Sequence, residues 1–394
     1  MVADKLNQVR YLSHFRSIHR GQYFTEMKTT TVRKLLPESW GFMCPVHTPD
    51  GSPCGLLNHI TLSCVPLPGE EVTAQQLLKL KQLLCSMGMT PTLSDFSVVH
   101  PHKNLPIVLD GKLLGSIDPE NSEMLVKQLR AIKVLQKSDN DLYSSVCKTL
   151  EIAYFPSNTQ NEDTKQKFFP GIFLSSQPSR FVRPVKNLQH GQVEFIGPLE
   201  QVNLSIACLE EDLRSDSTHQ ELDPINMLSI IASTIPFADY NQSPRNMYQC
   251  QMAKQTMGTP YHNHPYRMDN KIYRILFPQA PLVRTTNHTK YDFGLCPQGV
   301  NAIVAVISYT GYDMEDAMIL NKGAYERGFG HGCVYKNYIR ELNENHKSRF
   351  AMCNKRTAKE IDLKSHGLDS DGLPNPGRKM NQGDVEFCSY DKTL

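Results

Sequence analysis

The sequence predicts an α+β fold, a multi-domain mixture of helices, short strands and long irregular connections. Three observations predict it. Apolar residues recur at helical spacing in residues 6–15, 72–87 and 123–135. Residues 105–117 carry a hairpin signal, with Asp110-Gly111 between two apolar runs. No glycine-rich fingerprint follows a strand, which excludes a doubly wound sheet.

Each element has a local reason. Residues 6–15 place Leu6, Val9, Leu12 and Phe15 on a helical pattern. Residues 17–31 lack apolar periodicity and carry His19, Arg20, Gly21 and Lys28, so they predict an exposed, mobile, basic loop. Residues 40–63 are dense in turn chemistry, and Pro49-Asp50-Gly51 predicts a tight turn. Leu77, Leu78, Leu80, Leu83 and Leu84 make residues 72–87 an amphipathic helix. Residues 157–167 read as a polar loop, 181–185 as a strand, 227–235 as a buried helix and 260–269 as a His- and Pro-rich loop. Residues 301–308, an apolar run, predict a buried strand. Residues 337–365 are rich in Lys, Glu, Asn and Arg and predict no element.

A chain of 394 residues suggests two or three domains. A net charge of +2 gives no whole-chain attraction to a polyanion, so any nucleic-acid surface must be local. No apolar run is long enough to cross a membrane as a helix, and residues 1–20 lack a signal-peptide pattern. The 11 cysteines are scattered and form no C-x-x-C, which argues against a zinc ribbon or a disulfide scaffold. The chain starts inside a helical pattern and stops just after a strand-like stretch, so a piece of a larger protein is expected.

Two segments carry chemistry. In Gly311-Tyr312-Asp313-Met314-Glu315-Asp316, three carboxylates follow an apolar run at once. Anions crowded at the edge of a core demand compensation, because desolvating each costs several kcal/mol. A Mg²⁺ ion suits such hard oxygen donors; an arginine-paired cluster or a solvated acidic turn also fits. In Asn241-Gln242-Ser243-Pro244-Arg245-Asn246-Met247-Tyr248-Gln249, Ser243 predicts an N-cap hydroxyl with Pro244 in the first turn. Arg245, Tyr248, Met252 and Gln255 then share one helix face. A guanidinium, a phenol and an amide suit phosphate, base or ribose, or the surface of another subunit. Lys254 falls on the far side. Arg16, Arg20, Lys28, Arg33 and Lys34 form a scattered basic stretch that reads either as a solvated face or as phosphate contacts. No histidine pair has helical ligand spacing.

These motifs resemble the second-largest subunit of multisubunit RNA polymerases. Trp40-Gly41-Phe42-Met43-Cys44-Pro45-Val46-His47-Thr48-Pro49-Asp50-Gly51 resembles its fork signature, and the Asn241 and Gly311 motifs resemble two more, in family order. The form Pro-Val-His-Thr-Pro-Asp-Gly is most similar to the eukaryotic RNA polymerase I branch, which implies a nuclear, nucleolar enzyme subunit making ribosomal RNA precursor. The resemblance implies a fork region over 1–66, external region one over 67–195 and external region two with the return to the fork over 196–228. A hybrid-binding, active-site region over 229–336 and a divergent tail over 337–394 follow, the tail faintly resembling the start of the wall. It implies Glu315 and Asp316 near the second catalytic Mg²⁺, Arg245 on the nucleoside triphosphate, and Tyr248 and Asp50 positioning that substrate. Lys254 and Gln255 would meet RNA near its 3′ end. Residues 17–29, with Arg16 and Arg20 among the nucleic-acid contacts, would be the fork loop, and Arg33 would lie near template DNA.

The implied partners are the largest subunit, other polymerase subunits, template DNA, nascent RNA and NTP, with no membrane. The permanent Mg²⁺ belongs to the largest subunit in this family, so the isolated chain is not expected to polymerise. Ala253 departs from the family's common Gly before Lys-Gln, and the family's zinc module has no counterpart here. A non-catalytic interaction fragment is the alternative.

Overall fold

The computed structural model describes residues 2–68, 73–92, 104–135, 148–156, 169–342, 348–350, 367–369 and 371–391, without side-chain surroundings for 348–350, 390 and 391. It forms two compact units, Met1–His264 with Tyr273–Val334, and Pro265–Ile272 with Tyr335–Leu394.

The first unit opens with helix α1, Gln8–Phe15, capped by the Asn7 side chain accepting from the Arg10 N–H at 2.7 Å. Strand Ser17–His19 follows at once and pairs antiparallel with Leu57–His59, with Ser17 opposite His59. The expectation of an unstructured loop over 17–31 is therefore corrected at its start, because a partner strand supplies the backbone bonds that local periodicity cannot reveal.

Helix α2, Ala74–Ser86, begins at a capping box of Thr73 and Gln76. Helix α3 is Pro119–Leu135. Their buried faces, Leu80, Leu83 and Leu84 on one and Leu125, Val126 and Leu129 on the other, form one core with Leu105, Ile107, Ile152, Ile172 and Leu174. The strands under them form a five-stranded sheet in the order Thr90–Pro91, Lys112–Ile117, Leu105–Leu109, Gly171–Ser175, Glu151–Phe155. The hairpin is turned at Asp110 (φ 48°) and Gly111 (φ 82°), the paired positive φ values of a type I′ turn. The Asp110 carboxylate also accepts from the Ser176 N–H and hydroxyl at 2.8 and 2.6 Å. The expected loop over 157–167 lies outside the described residues.

A second sheet runs Val193–Ile196, Phe181–Asn187, His219–Gln220, Ile206–Ala207. Beside it, the short helix α4, Pro198–Gln201, buries Glu200. This layer holds its charges in pairs. Lys133 donates to Glu200 at 3.1 and 3.2 Å and lies 3.2 Å from Glu194, while His219 meets Glu194 at 2.9 Å. Arg183 is 1% exposed and donates to Glu221 at 2.7 and 2.8 Å and to Gln201 at 2.8 Å. Gln201 in turn donates to the Trp40 carbonyl at 2.8 Å, which ties the sheet to the segment before the Pro49-Asp50-Gly51 turn. Gly41 (φ 79°) lies under the guanidinium, where a Cβ would come within 2.6 Å of Arg183.

Residues 227–235 are largely buried, as expected, but the helix is replaced by 3₁₀ turns at Pro224–Met227 and Ala232–Thr234. The Ser233 and Thr234 hydroxyls donate to the carbonyls of Ile230 and Ile231, and Ser229 Oγ accepts from the Ala232 N–H. Hydroxyl-to-backbone bonds of this kind compete with a regular helix.

The buried strand expected over 301–308 is also corrected. Ile303 is 106% and Val306 95% exposed, and the run forms no strand or helix. An apolar run suits a buried strand, but a strand forms only where another is placed to pair with it. In the second unit, Ser348–Phe350 pairs antiparallel with Ser389–Asp391, and Arg340 pairs with Glu386 at 2.9 Å.

Replacing Arg183 with alanine strands the Glu221 carboxylate in the interior. Breaking a buried ion pair by removing one partner costs about 3–5 kcal/mol. Chemical denaturation of the Arg183→Ala chain should show that loss, and the Arg183→Met/Glu221→Leu double variant should recover part of it.

Candidate functional site

Helix α5, Ser243–Ala253, is built with Pro244 in its first turn. Its N-cap is Gln242, without a side-chain cap bond, so the expected Ser243 cap is corrected: Ser243 already lies inside the helix. Asn246 and Cys250, one turn apart, face inward. The Asn246 amide donates to the Ala238 carbonyl at 2.8 Å, which anchors the first turn. With that face buried, Arg245, Tyr248, Met252 and Gln255 are all exposed, as their spacing predicts. The Arg245 side chain makes no ion pair or hydrogen bond with the described residues. The helix thus presents a free guanidinium, a phenol and an amide, a set able to bind phosphate and ribose.

Lys254 caps the helix C-terminus and turns the other way. Its Nζ lies 3.2 Å from His59 Nε2. The His59 ring stacks on His47, with centroids 3.5 Å apart and planes within 3°. Both rings are buried. Burial first, then the Lys254 charge, holds His59 down at about 3, and burial first, then His59 and Lys254, holds His47 well below its ordinary value. Burial pushes Lys254 itself down to about 8. Neither histidine was singled out from the sequence. The signal was their position on either side of the Pro49-Asp50-Gly51 turn, which acquires meaning only once that turn folds back.

The turn is held by backbone acceptors. Arg33 donates through Nη1 to the carbonyls of Ser52 and Cys54, at 2.5 and 2.8 Å. Thr48 Oγ1 accepts from the Gly55 N–H at 3.0 Å and donates to the Leu57 carbonyl at 2.9 Å. Gly55 (φ 76°) passes so close that a Cβ would lie 2.5 Å from the Arg33 carbonyl. Asp50 is exposed at the tip. Arg16 donates to the Thr61 carbonyl at 2.6 Å, and burial lowers its pKa. Arg20 donates to the Val32 carbonyl at 2.8 Å and covers the Phe24 ring at 4.8 Å. All three arginines therefore spend donors on the fold itself.

The acidic turn is exposed rather than set at a core edge. Gly311 (φ 79°) and Glu315 (φ 58°) bend the chain. Glu315 and Asp316 are exposed, while Asp313 is half-buried with one carboxylate oxygen lacking a hydrogen-bond partner. These are hard donors of the kind Mg²⁺ accepts. Among the described residues, no three His, Cys, Asp or Glu side chains gather as a metal cage. No hydrogen bond or ion pair among the described residues joins Arg245 to Glu315 or Asp316. The structure groups Arg245, Tyr248, Lys254 and Gln255 on one helix and its end, and Arg33 with Asp50 in one turn.

Known proteins carry the same segments. Residues 231–393 match the family described as RNA polymerase Rpb2, domain 6, and residues 1–65 match RNA polymerase Rpb2, domain 3. Residues 114–183 match RNA polymerase I, Rpa2 specific domain. The chain belongs to the second-largest-subunit family of RNA polymerases, in its RNA polymerase I branch. It is 53% identical over 99% of its length to DNA-directed RNA polymerase I subunit RPA2 of Euplotoides octocarinatus, and 48% identical over 98% to that of Dictyostelium discoideum. The Mus musculus subunit is 48% identical over 99%. The chain spans about a third of the length of these relatives, 34%, 34% and 33%.

The buried imidazoles carry a pH signature. His59 takes up a proton near its ordinary value of 6.5 when unfolded, but only near 3 when folded. The unfolded chain binds more protons between those limits, so stability rises with pH across that window and is lost as the pH falls through it. His59→Gln should flatten this dependence, read as a smaller proton uptake on unfolding between pH 6 and about 4.

Proposed function

We propose that this chain is part of the catalytic core of DNA-dependent RNA polymerase I, which makes ribosomal RNA precursor by templated nucleotidyl transfer in the nucleolus. The observation that carries this reading is the outward face of α5. Arg245, Tyr248 and Gln255 stand exposed and uncommitted in a segment that matches Rpb2, domain 6.

In the proposed reaction, the RNA 3′-hydroxyl attacks the α-phosphate of the NTP and pyrophosphate leaves. Phosphoryl transfer depends on positioning and on neutralising phosphate charge. Arg245 supplies a fixed guanidinium to the triphosphate, and Tyr248 and Asp50 position the nucleotide. Lys254 and Gln255 hold RNA near its 3′ end. Glu315 and Asp316 would hold the second Mg²⁺, shared with the largest subunit and the NTP; when bound, that ion offsets charge on the phosphates. Arg16, Arg20 and Arg33 brace the fork at the bubble edge and use their remaining N–H groups toward DNA. The reading divides the chain into fork (1–66), two external regions (67–195 and 196–228), hybrid-binding region (229–336) and tail (337–394).

A second reading, a non-catalytic interaction fragment, draws on the exposed apolar side chains from Ile303 to Leu320, a surface that a larger assembly would cover. Reconstitution separates the two. A catalytic component should travel with a largest subunit and support templated, α-amanitin-insensitive synthesis. A fragment that binds without supporting synthesis would favour the second reading.

Arg245→Ala in the assembled enzyme should raise the KM for NTP by the loss of a charge-assisted bond, about 1.5–3 kcal/mol. An unchanged KM would remove Arg245 from the site. Asp316→Ala should slow nucleotide addition and raise the Mg²⁺ needed for half-maximal rate by about tenfold, the equivalent of ~1.4 kcal/mol. A normal Mg²⁺ titration would count against a metal contact.

A further inference from the structure

We propose that His47 and His59 are positioning residues for Lys254, holding its amine in one orientation with no carboxylate of the described residues paired to it, so that the anion it takes is a phosphate of the nascent RNA. The proposal deepens the reading above and rests on it for the identity of the anion.

The hydrogen bonds fix the tautomer of the His59 ring. His59 Nδ1 lies 3.1 Å from the His47 carbonyl oxygen. A carbonyl only accepts, so Nδ1 carries the proton and Nε2 presents its lone pair. That lone pair faces Lys254 Nζ at 3.2 Å, and the lysine is therefore the donor. His47 supplies both the carbonyl and the stacked ring that hold His59. His47 is held in turn by Ser229, 2.6 Å from its Nδ1. The chain of contacts runs from the 3₁₀ turns, through two flat rings, to one amine.

Among the described residues, no carboxylate bonds or pairs with Lys254. The groups facing Lys254 are His59 from the fork strand, Cys250 from its own helix and Arg10 from α1. Both histidines are held neutral, and burial raises Cys250 to about 12. Cys44, beside Cys250, is raised as well, again by burial. Arg10 is a cation, paired with Asp4 at 3.4 Å. Lys254 makes no ion pair with the described residues, in contrast to Lys133, which meets two carboxylates. A largely desolvated ammonium with one neutral acceptor lacks a counter-charge, and an approaching phosphate supplies it. The same arrangement makes the contact pH-sensitive, since only the ammonium attracts phosphate.

The first experiment is competitive acetylation of the full 394-residue chain with acetic anhydride, read at Lys254 by mass spectrometry from pH 6.5 to 11. Lys254 should reach half-reactivity near pH 8, well below the ordinary lysine value of about 10.4. His59→Phe, which removes the acceptor of the ammonium N–H, should lower that midpoint, and His59→Gln, which keeps an acceptor, should restore it. A wild-type midpoint near 10.4, or equal midpoints for wild type and a folded His59→Phe chain, would overturn the proposal. The wild-type titration stands even if the phenylalanine variant fails to fold.

The second experiment measures RNA retention by the assembled polymerase between pH 7 and 9. Wild type should weaken several-fold across that range, Lys254→Gln should be weak and flat, and His59→Gln should follow wild type. If Lys254→Gln binds like wild type while the acetylation results hold, the histidine support stands and the RNA placement is overturned.

Discussion

The candidate site depends on one short antiparallel pairing, Ser17–His19 against Leu57–His59. Everything around the Pro49-Asp50-Gly51 turn is registered to it. The Arg20 N–H donates to the Leu56 carbonyl at 2.9 Å, and the Ile60 N–H to the Arg16 carbonyl at 3.0 Å, continuing the ladder at both ends. Because the strands close there, the segment between them must return through Pro49-Asp50-Gly51. That return stacks His47 on His59 and sets His59 against Lys254. Slipping the register by one residue would turn His59 to the opposite face.

The chain treats buried charge in two ways. Beside the second sheet, charges cancel. Burial alone would raise Glu194, yet the hydrogen bond from His219 and the charges of Lys133 and Arg130 outweigh it and leave that carboxyl well below its ordinary range. Glu200, next to the same cations, is raised because its burial is complete. The two carboxylates share Lys133 and Arg130, and the cluster locks α3 and α4 against the sheet. Lys254 has no such ion pair among the described residues. Among the described residues, the paired charges beside the second sheet thus mark architecture, whereas Lys254, without an ion pair, sits within the segment that matches Rpb2, domain 6.

Much of the fold was legible because local chemistry determined it. Asp110-Gly111 specifies a turn whose two central residues need positive φ, and α2 and α3 bury the leucines their spacing selects. The outward face of α5 was legible for the same reason: once Asn246 and Cys250 face inward, the positions of Arg245 and Tyr248 follow. What escaped was non-local. The apolar run at Ile303 to Ile307 shows that the chain is suited to a strand, while the presence of a partner strand is a property of the rest of the molecule. The desolvation argument for the acidic turn fell with it, since Glu315 and Asp316 are in water. Arg16 and Arg33 carry basic charge in the sequence, but only the folded turn reveals the backbone carbonyls that engage them. The His47–His59 stack likewise depends on residues 12 positions apart meeting face to face.

The tie between Gln201 and the Trp40 carbonyl has an optical consequence. Trp40 is the single tryptophan of the chain and is 46% exposed just before the Pro49-Asp50-Gly51 turn. Indole emission from this polypeptide therefore originates from one known place, without a fluorophore being added. Wavelength and quenching would report how wet that place is. The Gln201 side chain of the neighbouring sheet bonds its carbonyl, so the native fluorescence is a gauge of that tie.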